Sequence, residues 1–299
     1  MSEAQNTMLS GTLIRGIGSF YTARTPDGQE YTLRAKKKFR RLSLTPLTGD
    51  EVIFSPGSGE EHGWVEEILP RRSVLIRPPA ANVTNLCLVL APVPEPDYLL
   101  IDRLMVQAAG QGMKVTMIVT KLDLDPGFRD RIEDIYKTAS VRVIGVSSRT
   151  GEGLQDVREA MRGGICCLAG QSGVGKSTLL NHLFGLDLET GDISEKIQRG
   201  KNTTRRTELF TSGDVRVLDS AGFSQLEMEE VMDPVLLKDL YPDFAPYEGT
   251  CRFYPCLHDR EPGCKVAEAC REGKIHPDRL ERYRQLLGEV RDTWKTRYS

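Results

Sequence analysis

The sequence predicts a multidomain chain in three parts: a small all-β barrel, an α/β domain built on a parallel sheet, and a Cys/His-rich helical module. Three observations predict it. Short runs of alternating polarity, separated by Gly, Pro and Asp turns, fill the chain from about Leu9 to Pro78. From Asn85 apolar runs alternate with segments of helical spacing. Four metal-type ligands then crowd between Cys251 and Cys264. The boundaries fall at 1–80, 81–225 and 226–299.

In the first part, Gly11 to Gly16, Phe20 to Ala23 and Glu51 to Phe54 read as strands of a barrel, and an OB-fold fits their size and spacing. Arg34, Lys36, Lys37, Lys38, Arg40 and Arg41 surround Phe39, with Tyr21 and Tyr31 nearby. Cations beside stacking faces suit RNA, although a basic run on its own is usually just a solvated loop.

The middle part alternates Leu86–Ala91, Tyr98–Ala109, Val115–Val119, Arg129–Thr138 and Val143–Val146, the rhythm of a parallel sheet with covering helices. Val115 to Val119 reads as a buried strand with Thr120-Lys121-Leu122-Asp123 at its carboxyl end, where α/β sheets take ligands. The Asp123 carboxylate suits the two donors on guanine, which adenine lacks, and the Lys121 stem suits packing over a purine. Ser147 and Ser148, followed by Thr150-Gly151-Glu152-Gly153, end the next strand and fit a segment backing the guanine carbonyl.

The apolar run Ile165–Ala169 leads into Gly170-Gln171-Ser172-Gly173-Val174-Gly175-Lys176-Ser177 and then Thr178, which opens a helix-spaced segment. Strand, Gly-rich loop and helix are the context a phosphate-binding loop requires. Its N–H groups converge on phosphate oxygens, Lys176 reaches the β- and γ-phosphates, and Ser177 offers a hydroxyl to Mg²⁺. The base-reading tetrad precedes this loop, whereas in most GTPases it follows, so the middle part reads as a circularly permuted P-loop GTPase domain.

Two segments after the loop suit γ-phosphate switches. Thr203 or Thr204 would close on Mg²⁺, Asp219 would hold a metal-bound water, and the Gly222 N–H would sense the γ-phosphate. Phe223 follows Asp219-Ser220-Ala221-Gly222, and a phenyl ring cannot orient water. A slow unassisted hydrolysis is therefore expected, with a partner or another side chain completing the site.

Cys251, Cys256, His258 and Cys264 fit Cys-x4-Cys-x-His-x5-Cys, a set able to surround one structural Zn²⁺ and leave no position open for catalysis. Disulfides are the competing use of these thiols. Beyond them Leu280, Tyr283, Leu286, Leu287, Val290 and Trp294 share one face of a C-terminal helix.

Composition sets outer limits. The 299 residues are 39% hydrophobic with a net charge of −2, so bulk electrostatics does not make the chain a polyanion binder, and nucleic acid must be met by local patches. No stretch is apolar enough for a bilayer and no export signal is visible, so the expectation is a cytoplasmic chain without membrane contact. No heptad pattern calls for a dimer, and a monomer is expected.

These residues resemble the circularly permuted bacterial GTPases of small-ribosomal-subunit maturation, the RsgA/YjeQ/YloQ family, over nearly the whole chain. The resemblance implies an OB domain, a permuted GTPase domain and a zinc domain. It also implies hydrolysis of GTP on the immature small subunit and its rRNA, stimulated by the ribosome, with release of assembly factors. Many members carry a His before the paired threonines that is proposed to help catalysis. This chain has Asn202, which cannot act as a general base at neutral pH, although it can orient water. The alternative from a different class is a GTP-gated rRNA-binding assembly module with negligible hydrolysis. An ATP-dependent P-loop enzyme ranks last, because it leaves Asp123 without a role.

Overall fold

The structure is a computed structural model that describes residues 8–57, 61–76, 78–147, 149–185, 207–219 and 232–296, with only the backbone of Asp219. In chain order the strands are β1 Leu9–Ile17, β2 Phe20–Arg24, β3 Glu30–Ala35, β4 Glu51–Ser55, β5 Gly63–Ile68, β6 Val74–Leu75 and β7 Ala80–Ala81. They continue as β8 Val83–Leu90, β9 Lys114–Val119, β10 Arg142–Gly145, β11 Ile165–Ala169, β12 Glu208–Ser212 and β13 Val215–Asp219. The helices are α1 Lys37–Arg41, α2 Tyr98–Gly110, α3 Phe128–Tyr136, α4 Leu154–Ala160, α5 Lys176–Phe184, α6 Lys265–Arg271 and α7 Pro277–Thr296. Two 3-10 segments, Pro234–Leu240 and Pro242–Tyr247, precede α6. The chain forms two compact units: Met1–Asn85 with Met161–Leu168 and Glu189–Phe223, and Leu86–Ala160 with Ala169–Leu188 and Ser224–Ser299.

In the first unit β1 pairs antiparallel with β2 and with β4, β2 with β3, β4 with β5, and β3 runs parallel to β5. That circuit closes a five-stranded barrel, and α1 sits between β3 and β4 in the chain, which is the OB-fold expected from the strand spacing. Alternation sends Leu13, Ala23, Leu33, Val52, Phe54 and Val65 inward. Gly11 is required in β1, because a Cβ there would lie 2.7 Å from the Arg24 carbonyl oxygen. A register shift between Leu13 and Arg15 lets both Leu13 and Ile14 be buried and leaves Arg15 opposite Glu208 of β12.

Of the stacking faces expected from the basic run, Phe39 is corrected here. Phe39 is 4% exposed and belongs to the barrel core, while Tyr31 packs on Phe54 with ring centroids 5.2 Å apart. An amphipathic turn of five residues has one apolar side chain to bury, and the barrel takes it. Asp50, wholly buried, is paid for by Arg71, whose Nε and Nη2 donate to its two oxygens at 2.7 and 2.8 Å, and by the Leu47 N–H at 2.7 Å. Also in this unit β11 runs parallel to β13, with Cys167 opposite Leu218, and β12 pairs antiparallel with β13.

In the second unit β9 and β10 are parallel neighbours and β9 is buried from Thr116 to Val119. Asp97 caps α2 by accepting the Leu100 N–H at 2.9 Å. Val106 of α2 joins the same core as Tyr241, Phe244, Val266, Leu280, Tyr283, Leu286 and Leu287, so the C-terminal module and α2 share one apolar interior. The inward face of α7 is wider than the sequence suggests: Arg279 and Arg282 are buried alongside Leu280, Tyr283, Leu286, Leu287 and Val290, whereas Trp294 is half-exposed.

Those two arginines meet two buried carboxylates. Asp102 of α2 accepts from Arg282 Nε at 2.7 Å and from the Tyr136 hydroxyl at 2.9 Å, and lies 2.5 Å from Arg279 Nη1. Asp243 accepts from Arg279 Nη2 at 2.7 Å and from Thr138 Oγ1 at 2.6 Å. Arg279 also stacks on Tyr136 and Tyr241, 5.0 and 4.7 Å from their ring centroids. The carboxylates hold its guanidinium above its ordinary pKa despite the opposing effect of burial.

Charge is balanced, two against two, and removing one member leaves its partners buried and unpaired at a cost of about 3–5 kcal/mol. Asp102→Ala is expected to lower stability by roughly that amount. Urea unfolding followed by circular dichroism checks it, with the exposed Asp292→Ala expected to change little.

Candidate functional site

The phosphate loop lies wholly within the second unit. β11 delivers it as a fully buried strand, and α5 starts at Lys176 with Gly175 as its N-cap. Gly170 has φ +143°, and a Cβ there would fall 2.3 Å from the Val89 carbonyl oxygen, so the turn admits no side chain. Lys176 folds back over the loop, its Nζ donating to the carbonyls of Gly170 at 2.7 Å and Gln171 at 2.6 Å. Burial lowers its pKa to about 8. Ser177 and Thr178, both half-buried, occupy the first turn of α5, whose free N–H groups favour anions. Val174 is buried, and Ser172 is exposed.

The base-reading tetrad is fastened to this loop. Thr120 is 2% exposed, and its Oγ1 donates to the Val174 carbonyl at 2.6 Å, with the Leu90 carbonyl at 3.2 Å. Lys121 adopts φ +54°, uncommon for a residue with a Cβ, and its Nζ donates to Gly173 O at 2.6 Å and Val93 O at 2.8 Å. Asp123 is exposed, and among the described residues no hydrogen bond or ion pair engages its carboxylate. Ser147 follows β10, with Gly145 in register with Val119 of β9, and its Oγ accepts the Thr150 N–H at 3.3 Å. The arrangement therefore has one lysine, Lys176, folded over the loop, a second, Lys121, bonded to it, and the open carboxylate of Asp123 two residues further along the chain.

Two members of the site were not singled out in the sequence. Asp97 donates its N–H to the Gln171 side-chain oxygen at 3.0 Å, and Val93 supplies its carbonyl to Lys121. Their signal is the run Pro92-Val93-Pro94-Glu95-Pro96-Asp97, a stiff loop at the carboxyl end of a buried strand. Ser148, Asn202, Thr203, Thr204, Gly222 and Phe223 lie outside the described residues. Asp219 ends β13 opposite Glu208.

In the C-terminal module one ligand atom from each of Cys251, Cys256, His258 and Cys264 lies within 4.8 Å of all the others. His258 Nδ1 is 3.5 Å from Cys264 Sγ and 3.7 Å from Cys251 Sγ. The N–H groups of Lys265 and Ala267 donate to the sulfurs of Cys251 and Cys264 at 3.2 and 3.5 Å, support that suits thiolates. Burial pushes the Cys256 thiol up to about 12, a penalty that a divalent cation reverses. Three sulfurs and one imidazole nitrogen at this spacing fit a tetrahedral zinc site. Tyr283 of α7 steadies the loop by donating to the Leu257 carbonyl at 2.6 Å.

Comparison with known proteins agrees with this geometry. The RsgA GTPase family profile matches residues 68–229, and the RsgA N-terminal domain profile matches residues 10–65. The chain is similar to the small ribosomal subunit biogenesis GTPase RsgA of Ruminiclostridium cellulolyticum, 40% identical with 95% of each chain covered. It is 38% identical to the RsgA of Geobacillus thermodenitrificans, over 97% of this chain and all of that one. Among solved structures it is similar to YjeQ from Thermotoga maritima, with a TM-score of 0.79, 29% identity and coverage of 95% and 99%. It is equally similar to YloQ, a circularly permuted GTPase, with a TM-score of 0.78, 29% identity and 98% of each chain.

The buried lysine gives the site a pH signature. Phosphate oxygens favour the protonated amine, so Lys176 must take up a proton on binding once the pH exceeds about 8. GTP affinity is expected to be roughly tenfold weaker at pH 9 than at pH 7. Titration calorimetry at both values checks it, with Lys176→Ala, weak throughout, expected to show no such step.

Proposed function

The chain belongs to the RsgA GTPase family, and from that premise we propose that it binds the small ribosomal subunit and its rRNA, assists late maturation, and hydrolyses GTP to GDP and phosphate when the ribosome stimulates it. The observation that supports this reading is the fastening of Thr120 and Lys121 to the carbonyls of Val174 and Gly173, which would hold a base-reading segment against a phosphate loop. Assembly factors leave on hydrolysis, and the protein works as a cytoplasmic monomer. Among the described residues no helix is long and apolar enough to cross a membrane. The division of labour is 1–80 for RNA contact, 81–225 for the nucleotide and 226–299 for the zinc module.

Asp123 accepts the two guanine donors and Lys121 covers the purine, while Ser147 and Ser148 back the carbonyl. Gly170 to Gly175 wrap the phosphates, and Lys176 exchanges its loop carbonyls for phosphate oxygens. Mg²⁺, when bound, neutralises charge building on the phosphates, and Ser177 with Thr203 or Thr204 and Asp219 would hold it. Gly222 would sense the γ-phosphate. Asn202 could orient water but supplies no base, which is consistent with a rate dependent on the ribosome. Zn²⁺ would be held by Cys251, Cys256, His258 and Cys264 as a folding element.

GTP turnover measured alone and with small subunits tests the reading. Stimulation is expected, together with its loss in Lys176→Ala, and turnover equal and negligible in both conditions would sink it. Asp123→Asn replaces an acceptor by a donor, so GTP affinity is expected to fall roughly 100-fold while xanthosine triphosphate, which has an oxygen in place of the guanine amine, binds better.

Metal analysis provides an independent check. One zinc per chain is expected, and chelation is expected to unfold the C-terminal module, read as lost thermal stability.

A further inference from the structure

The outer surface of the barrel carries a row of planar groups that the nucleotide chemistry does not use. Phe20 is in register with Arg34 across β2 and β3, and Arg34 is in register with Trp64 across β3 and β5. Residues in register on neighbouring strands project to the same side. The side is the outer one, because Ala23, Leu33, Gly63 and Val65 alternate inward on the same three strands.

The groups are arranged as a surface. The Arg34 guanidinium carbon stands 4.5 Å from the Phe20 ring centroid, and the His62 ring meets Phe20 edge-on at 4.8 Å. Trp64 is 44% exposed, and Arg34 and His62 are exposed beside it. Adjacent strands are about 4.8 Å apart, so the row is about 10 Å long, room for two or three splayed bases. Phe20 opens β2 just after the β1–β2 turn, and Trp64 follows the β4–β5 connection, which are the two loops that flank the ligand face of an OB-fold.

A single exposed aromatic needs no explanation. Here the neighbours select an occupant. From Arg34 to Arg41 the chain has six cations and no carboxylate, and Lys37, Lys38, Arg40 and Arg41 are exposed on α1 directly beyond β3. Glu66 of β5 is already engaged by Lys36 and by Ser55 Oγ, and Glu30 of β3 by Arg24, so among the described residues Glu61 and Glu67 are the exposed carboxylates beside the row. Flat aromatic and guanidinium faces take bases of any identity, and the cations track a phosphate backbone. An acidic protein would satisfy the cations but leave the Trp64 face and the outer side of the Arg34–Phe20 pair without a planar partner.

We infer that Phe20, Arg34 and Trp64 form a stacking platform for unpaired bases of single-stranded RNA. The inference rests on the RNA contact in the proposed function and assigns it to these side chains rather than to Phe39, Tyr21 and Tyr31. Duplex RNA, whose bases are already stacked, does not satisfy the platform.

The test uses the full, zinc-replete chain carrying Trp294→Phe, which leaves Trp64 as the sole tryptophan, titrated with twelve-nucleotide oligouridylate, oligoadenylate and a fully paired RNA duplex. Both single strands are expected to quench Trp64 fluorescence and the duplex is not. In the otherwise unaltered chain, with oligonucleotide binding read by anisotropy, Trp64→Ala and Phe20→Ala are expected to weaken binding at least roughly tenfold, and Trp64→Phe less. The salt dependence of binding should be unchanged by Trp64→Ala but shallower in a Lys37→Ala, Lys38→Ala double variant. GTP affinity serves as the folding control.

Single strands that bind with unchanged affinity in Trp64→Ala and Phe20→Ala overturn the inference. So does a patch that alters small-subunit binding while no oligonucleotide binds, which would make it a protein-docking surface. Absence of ribosome-stimulated turnover with the oligonucleotide results intact would instead count against the proposed function alone.

Discussion

The proposed nucleotide site depends on a clasp made by two adjacent side chains. Thr120 and Lys121 end one buried strand and reach into the phosphate loop, bonding the carbonyls of Val174 and Gly173. A GTP site needs its base-reading and phosphate-binding parts at a fixed separation, but physics does not require a particular order along the chain. Strand ends on a parallel sheet satisfy that need in either order, because ligands gather at their carboxyl ends. Permutation therefore alters which segments connect to the site while leaving the site assembled.

What permutation frees, the buried charge network restricts. In sequence, the stretch after Gly222 leads straight to the C-terminal module, which suggests a module that swings when the switch moves. The structure joins that module to α2 and α3 through Asp102, Asp243, Arg279 and Arg282, and through an apolar core that includes Val106. Swinging the module away would expose four paired charges and open that core. The seat of the C-terminal module is therefore an uneconomical place for nucleotide-driven motion.

The fold and most of the site were legible because their signals are local. The phosphate loop, the tetrad and the Cys3His set each occupy a short stretch, and barrel strands announce themselves by alternation. The charge network was not legible: Arg282 and Asp102 are 180 positions apart, and isolated arginines on a helix ordinarily read as a solvated face. Phe39 was misassigned for a different reason. Phe39 is surrounded by cations in sequence, but burial is decided by the barrel's need to fill its end, while Phe20 and Trp64 lie on the outward phase of strands whose inward residues are small or apolar. The roles of Ser148, Asn202, Thr203, Thr204 and Gly222 rest on sequence alone.

Helix α2 touches both halves of this arrangement. At its start Asp97 meets the Gln171 side chain of the phosphate loop, and five residues later Asp102 meets the arginines of α7. Successive residues of a helix are about 100° apart around its axis. Insertion or deletion of one residue between these two points would turn Asp102 away from both guanidinium groups without changing any residue type. The segment can therefore vary in composition more readily than in length, and its helical phase acts as a gauge between the Gly170–Ser177 loop and the C-terminal module.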